Sequence, residues 1–198
     1  MGHSRRTKLG GNDRVSDVAA HVAAASFTGR DGEHDAFTFT RDTDASGKCI
    51  ARDGTDDRPF MVGATTESLL RSVKRDASSV ILHVDATFQL EQVSYAVIVC
   101  GLSGGPRRFH LLALFITSQL EERHFVDASA ALRTVYAQVT GERMNVHYVM
   151  ADADRAQFNA VKSVFGIDCT YTYLMCFYYV IAKVRLSLKE RTRALHGA

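Results

Sequence analysis

The sequence predicts an α/β domain built on a mixed five-stranded sheet, with strand order 3-2-1-4-5 and helices on its flanks. Three observations predict it. Apolar residues concentrate after residue 78, three strand-like runs succeed one another with short joins, and two further runs return through helical segments. Strands joined by short turns form an antiparallel meander. A strand reached through a helix crosses over right-handed and lies parallel to its partner, so strands four and five add beside strand one.

At 198 residues the chain has room for one domain and a tail. Residues 1–58 hold few large aliphatics and are dense in Asp, Arg, Gly, Ser and Thr. Such a composition buries too little surface to offset its ordering entropy, so an irregular segment 1–58 is expected ahead of a domain over 59–198. Within that segment Val15 to Phe27 reads as a weak helix, and Phe37 to Thr40 as a lone strand. Thr65 to Ser68 then leads into a short amphipathic helix, Leu69 to Arg75.

Val80 to Asp85 is an almost continuous apolar run, the pattern of a strand buried on both faces. Val93 to Cys100 is the second strand. Ser103-Gly104-Gly105-Pro106 makes a turn, and Phe109 to Thr117 is the third strand. Ser118-Gln119-Leu120-Glu121 reads as a capping box. Behind it Phe125, Ala128, Leu132, Val135, Tyr136 and Val139 recur at helical spacing, and Gly141 ends the helix. Val146 to Ala151 is the fourth strand, closed by Asp152. Asp154 caps a helix whose apolar face is Ala160, Val161, Val164 and Phe165. Cys169 to Leu174 is the fifth strand, and a last helix starts at Phe177. This β-β-β-α-β-α-β-α order is the RNase H-like arrangement, here expected to be incomplete at its C-terminus.

Charge and cysteines narrow the setting. A net charge of +2 permits nucleic-acid binding without requiring it. Cys49, Cys100, Cys169 and Cys176 form no C-x-x-C pair, and no apolar leader precedes them. An intracellular location, nucleus or cytoplasm, is expected, and not secretion. The longest apolar run, Tyr173 to Ala182, is far below the ~20 residues of a membrane helix, so no membrane association is expected.

Asp85 and Asp152 each end a central strand, and in the expected sheet those strands are parallel neighbours. Two carboxylates side by side repel unless cations lie between them. With a third carboxylate they suit two-metal phosphodiester chemistry, with ions about 3.5–4 Å apart. Oxygen ligands favour Mg²⁺ or Mn²⁺. The plainer reading of a strand-terminal Asp is a cap for the next loop or helix, and Asp154 is assigned to that role. His83 lies on the strand face of Asp85 and reads as a packed strand histidine, with a phosphate contact as the alternative.

The words around these acids carry a resemblance. His83-Val84-Asp85-Ala86-Thr87-Phe88, then Asp152-Ala153-Asp154-Arg155-Ala156-Gln157, then Cys176-Phe177-Tyr178-Tyr179 together resemble the MULE transposase domain of Mutator-like elements, over about residues 60–190. The resemblance implies a DDE transposase: metal-dependent cleavage and strand transfer of DNA, with Mg²⁺ or Mn²⁺ as cofactor and transposon ends as partner. It implies Asp85 and Asp152 as catalytic and metal-binding acids, and puts Cys176 in the Cys position of a Cys-x-x-His pair. Tyr179 stands where that His is expected, and the late family Glu has no counterpart in a matching context. Glu190, among Lys183, Arg185, Lys189, Arg191 and Arg193, reads as an ordinary charge on a solvated helix. The expected result is a chain inactive by itself, or alternatively a non-catalytic DNA-binding remnant on the same fold. A 3′–5′ exonuclease would need Asp-x-Glu on the first strand, and Thr87 occupies the second acid's place.

Overall fold

The computed structural model describes residues 15–74, 76–87, 95–105, 108–152, 154–177, 180–181 and 184–185. In chain order they form α1 (Val15–Ala24), β1 (Phe37–Phe39), β2 (Met61–Thr65), α2 (Glu67–Arg71), a 3-10 turn (Ala77–Ser79), β3 (Val80–Thr87), β4 (Ala96–Gly104), β5 (Phe109–Thr117), α3 (Glu122–Thr140), β6 (Tyr148–Ala151), α4 (Arg155–Phe165) and β7 (Thr172–Met175). Among the described residues the fold is α/β, on one mixed sheet of seven strands in the order β1-β2-β5-β4-β3-β6-β7.

The sheet therefore differs from the expected five strands. Antiparallel β1 and β2 extend it beyond β5. The reason is local. Phe39 pairs with Gly63, and Gly63 pairs with Phe115. The two phenylalanine rings meet edge to face over the bare glycine, 5.2 Å between centroids. A Cβ on Gly63 would come within 2.6 Å of the Phe39 ring. Phe37 and Phe39 thus enter the main core, from a segment whose composition predicted poor packing. The same segment supplies Val22 and Cys49 to a smaller cluster with Phe60 and Val62. Residues 1–14 of the expected irregular segment lie outside the described residues.

Strand β3 pairs antiparallel with β4, which pairs antiparallel with β5. Strand β6 lies parallel to β3, and β7 parallel to β6. Along β3 the buried Leu82 and Val84 alternate with the half-buried His83 and exposed Asp85, as a strand's two-residue period requires. Leu82, Val84, Val149 and Ala151 join α3 and α4 in one core. All six stripe residues of α3 are buried, as are Ala160, Val161, Val164 and Phe165 of α4. Each fully buried Leu, Val or Phe contributes roughly 1.5–3 kcal/mol. Gly141 ends α3 at φ 73°, the left-handed conformation a glycine adopts without strain.

The cap of α3 is one turn later than the sequence suggests. Glu121 is the N-cap, and its backbone N–H donates to His124 Nδ1 at 3.0 Å. Ser118 is otherwise engaged: its N–H donates to the Phe60 carbonyl, and its Oγ accepts from the Phe60 N–H. Strand bounds also differ. Val93 and Ser94 of the expected second strand lie outside the described residues; β4 runs over Ala96–Gly104, past the expected end at Cys100 into the expected turn, with a bulge at Cys100/Gly101, and β7 starts at Thr172.

Candidate acidic site at the strand ends

The parallel pair β3–β6 sets the site. Leu82, His83 and Val84 register with Val149, Met150 and Ala151. One step further along both chains stand Asp85 and Asp152. Neighbouring strands lie about 4.8 Å apart, so the two backbones present their acids side by side. Asp85 does not close its strand, since β3 runs on to Thr87 paired only with β4. It marks the point where β3 loses its parallel partner.

Both long helices start at this end. β5 runs parallel to β3 through the intervening β4, so α3 begins beside the strand ends. α4 begins there because it comes directly after β6. Asn159 Nδ2 of α4 donates to Glu122 Oε2 of α3 at 2.8 Å and ties the two starts together. Helix N-termini carry partial positive charge and favour nearby carboxylates. Asp154 caps α4, its Oδ1 accepting from the N–H groups of Ala156 and Gln157.

Asp152 is held from two sides. Its N–H donates to Gln157 Oε1 at 2.8 Å, and its carbonyl accepts from the Tyr173 hydroxyl at 3.0 Å. Gln157 Nε2 stands 3.5 Å from Asp152 Oδ2, at the long limit of a hydrogen bond. Burial first, then the Asp152 and Asp154 carboxylates, push the Tyr173 hydroxyl up to about 12, so it remains a donor across the ordinary pH range. Sequence reasoning overlooks Gln157. Its signal is a glutamine in an apolar stripe: positions 157, 160, 161 and 164 share one helix face, and Gln157 is buried with the rest.

His83 lies two residues before Asp85 on the same strand face. Its Nε2 is 2.6 Å from Ser103 Oγ, and its ring meets Phe109 edge to face. Burial holds its imidazole below the usual range, against the opposing pull of Asp85. These partners are those of a packed strand histidine. Cys176 comes directly after β7, and its N–H donates to the Ala151 carbonyl at 2.9 Å, next to Asp152. Tyr179 and Glu190 lie outside the described residues.

Two carboxylates are hard oxygen donors and suit Mg²⁺ or Mn²⁺ better than a soft-ligand metal. Among the described residues no group of three or more His, Cys, Asp or Glu side chains is assembled to hold a metal ion. No described helix is long and apolar enough to cross a membrane. In comparisons with known proteins, no family model, no curated protein and no solved structure matches the chain.

Proposed function

We propose that the chain is an RNase H-like domain of the Mutator-like DDE transposase kind, in which Asp85 and Asp152 hold a divalent cation against a DNA phosphodiester. The observation that carries this reading is the register of β3 and β6, in which Asp85 and Asp152 follow directly on the last parallel pair, Val84 with Ala151. What supports the fold assignment is the run of neighbours β5-β4-β3-β6-β7 within the larger sheet. Open α/β sheets take their ligands at the carboxyl ends of parallel strands.

A bound Mg²⁺ or Mn²⁺ would supply Lewis acidity toward a phosphoryl oxygen. The chain's own part is positional. Asp152 is fixed at its backbone by Gln157 and Tyr173. Asp85 is fixed by the strand pairing on β4, where it registers with Val99. Two acids hold a cation weakly and leave a phosphodiester incompletely clamped, so the chain alone is proposed to bind the ion and DNA without cutting. Positioning supplies on the order of 7–11 kcal/mol of barrier reduction in favourable cases.

The test is Mn²⁺ binding by titration calorimetry, with nicking of supercoiled DNA in Mg²⁺ and in Mn²⁺. Weak Mn²⁺ binding that is lost in both Asp85→Asn and Asp152→Asn is expected, with no nicking. Binding indifferent to both substitutions sinks the site. Nicking that disappears in Asp152→Ala would show a complete site, with Glu190 the first residue to mutate. Salt-sensitive DNA affinity without any Asp-dependent ion binding would favour the non-catalytic binding module instead.

A further inference from the structure

Gln157 is a polar side chain at a core position, only 4% exposed, in a stripe otherwise made of Ala160, Val161 and Val164. Burying an amide is costly unless its hydrogen-bonding groups are matched. Here both ends of the amide face one residue. Its oxygen takes the Asp152 N–H, and its nitrogen faces the Asp152 carboxylate. On the other side of the same residue, the Tyr173 hydroxyl of β7 donates to the Asp152 carbonyl.

A strand end can satisfy its peptide groups more cheaply, by continuing the ladder or meeting water. At Asp152 the ladder stops, since its last pairs are Val84 with Ala151 and Ala151 with Met175. Two side chains from two different elements take over there. Both members of this clamp are themselves fixed. Asp154 caps α4 and so sets the height of Gln157 above the strand end. The Tyr173 ring packs edge to face on Phe158, 5.0 Å between centroids.

We infer that Gln157 and Tyr173 are positioning residues, which clamp Asp152 at its N–H and carbonyl so that its carboxylate is presented beside Asp85 for a divalent cation. The inference rests on the proposed cation site. It adds that the site's affinity is set by α4 and β7 and not by the two acids alone. Partners that orient a metal's carboxylate ligands typically change affinity 10–100-fold when removed.

The experiment uses the full chain, with MnCl₂ as probe and thermal unfolding in parallel. Gln157→Met keeps the volume and removes both amide contacts. Tyr173→Phe keeps the ring on Phe158 and removes one hydroxyl, and carries the test should Gln157→Met fail to fold. Val161→Ala, one turn further along α4 and 1% exposed, serves as a core control that weakens the helix packing without touching Asp152. The expected result is Mn²⁺ affinity reduced at least about tenfold in the first two variants and unchanged in the control. Affinity falling in all three in step with the loss of thermal stability would show a merely structural role and overturn the inference. So would wild-type affinity retained in folded Gln157→Met and Tyr173→Phe. Absence of Asp152-dependent Mn²⁺ binding in the wild type would instead remove the site itself, and the clamp's purpose with it.

Discussion

At the C-terminal end of the β3–β6 pair stand two acids, the starts of α3 and α4, and a clamp built around Asp152. At the N-terminal end lies a cavity of about 220 Å³ between Val80, Leu82, Leu102, Tyr136, Val146 and Tyr148, with the Lys74–Glu142 ion pair, 2.6 Å long, in its lining. This cavity is thus at the opposite end of the sheet from Asp85 and Asp152. Shape and reactivity are separated. The cavity forms where the end of α3 and the loop behind it fail to fill the space under the sheet. The acids are arranged by strand register. At the acid end two side chains hold the backbone N–H and carbonyl of Asp152, whereas none of the described residues lining the cavity leaves a buried side-chain polar atom unmatched and aimed at a ligand.

The largest expected effect falls between the ends. Leu82 is 1% exposed, lines the cavity and registers with Val149. Leu82→Ala should cost roughly 2–5 kcal/mol by urea unfolding, through lost burial and an enlarged cavity. If Mn²⁺ affinity collapses while the variant is still folded, the two ends of the sheet are coupled. Next, Asp85→Asn or Asp152→Asn should weaken Mn²⁺ binding at least about tenfold, or ~1.4 kcal/mol, with little change in unfolding midpoint.

A smaller effect comes from pH. His124 starts α3 at the acid end and is 1% exposed. Its Nδ1 accepts the Glu121 N–H, so Nε2 carries the proton of the neutral ring. Burial first, then Arg123, hold His124 below its usual range. The unfolded chain takes up this proton near pH ~6.5 and the native state does so only at lower pH. Its contribution to stability is therefore complete above about pH 6.5 and declines as pH falls below it. Urea midpoints should be lower near pH ~5 than near pH ~8, and His124→Asn should reduce that slope. Hydrogen exchange should locate the acid-induced loosening in the first turn of α3 and not at Gly141. Smallest is Lys74→Met. Both partners of its ion pair are exposed, and such pairs contribute little. Neither Mn²⁺ binding nor the unfolding midpoint should move measurably.

Parts of this architecture are legible in the sequence. The apolar stripes of α3 and α4, the Asp154 cap and the Gly141 stop follow from local spacing, and the side chains lie as that spacing requires. The expected cap at Ser118 fails, because Ser-x-x-Glu is equally compatible with a serine whose groups are taken by Phe60, distant in sequence. Within residues 15–58 only Val15–Ala24 and Phe37–Phe39 form regular elements, as composition suggests, but the expected poor packing fails at Phe37 and Phe39 for a related reason. An average over many polar residues hides Phe37 and Phe39, which suffice to join an edge strand to the core. Asp85 and Asp152 stand out as acids ending apolar runs, whereas Gln157 does not, because a glutamine on a helix is usually solvated.

Which segments alternate with a period of two, which repeat at 3.6, and where turns and caps interrupt them follow from preferences that act between residues a few positions apart in the chain. Which strands adjoin, how far the sheet extends, and that Gln157 and Tyr173 converge on Asp152 emerge only in the folded chain. Those outcomes depend on register and on contacts between residues far apart in the chain, where a one-residue slip turns every side chain to the other face.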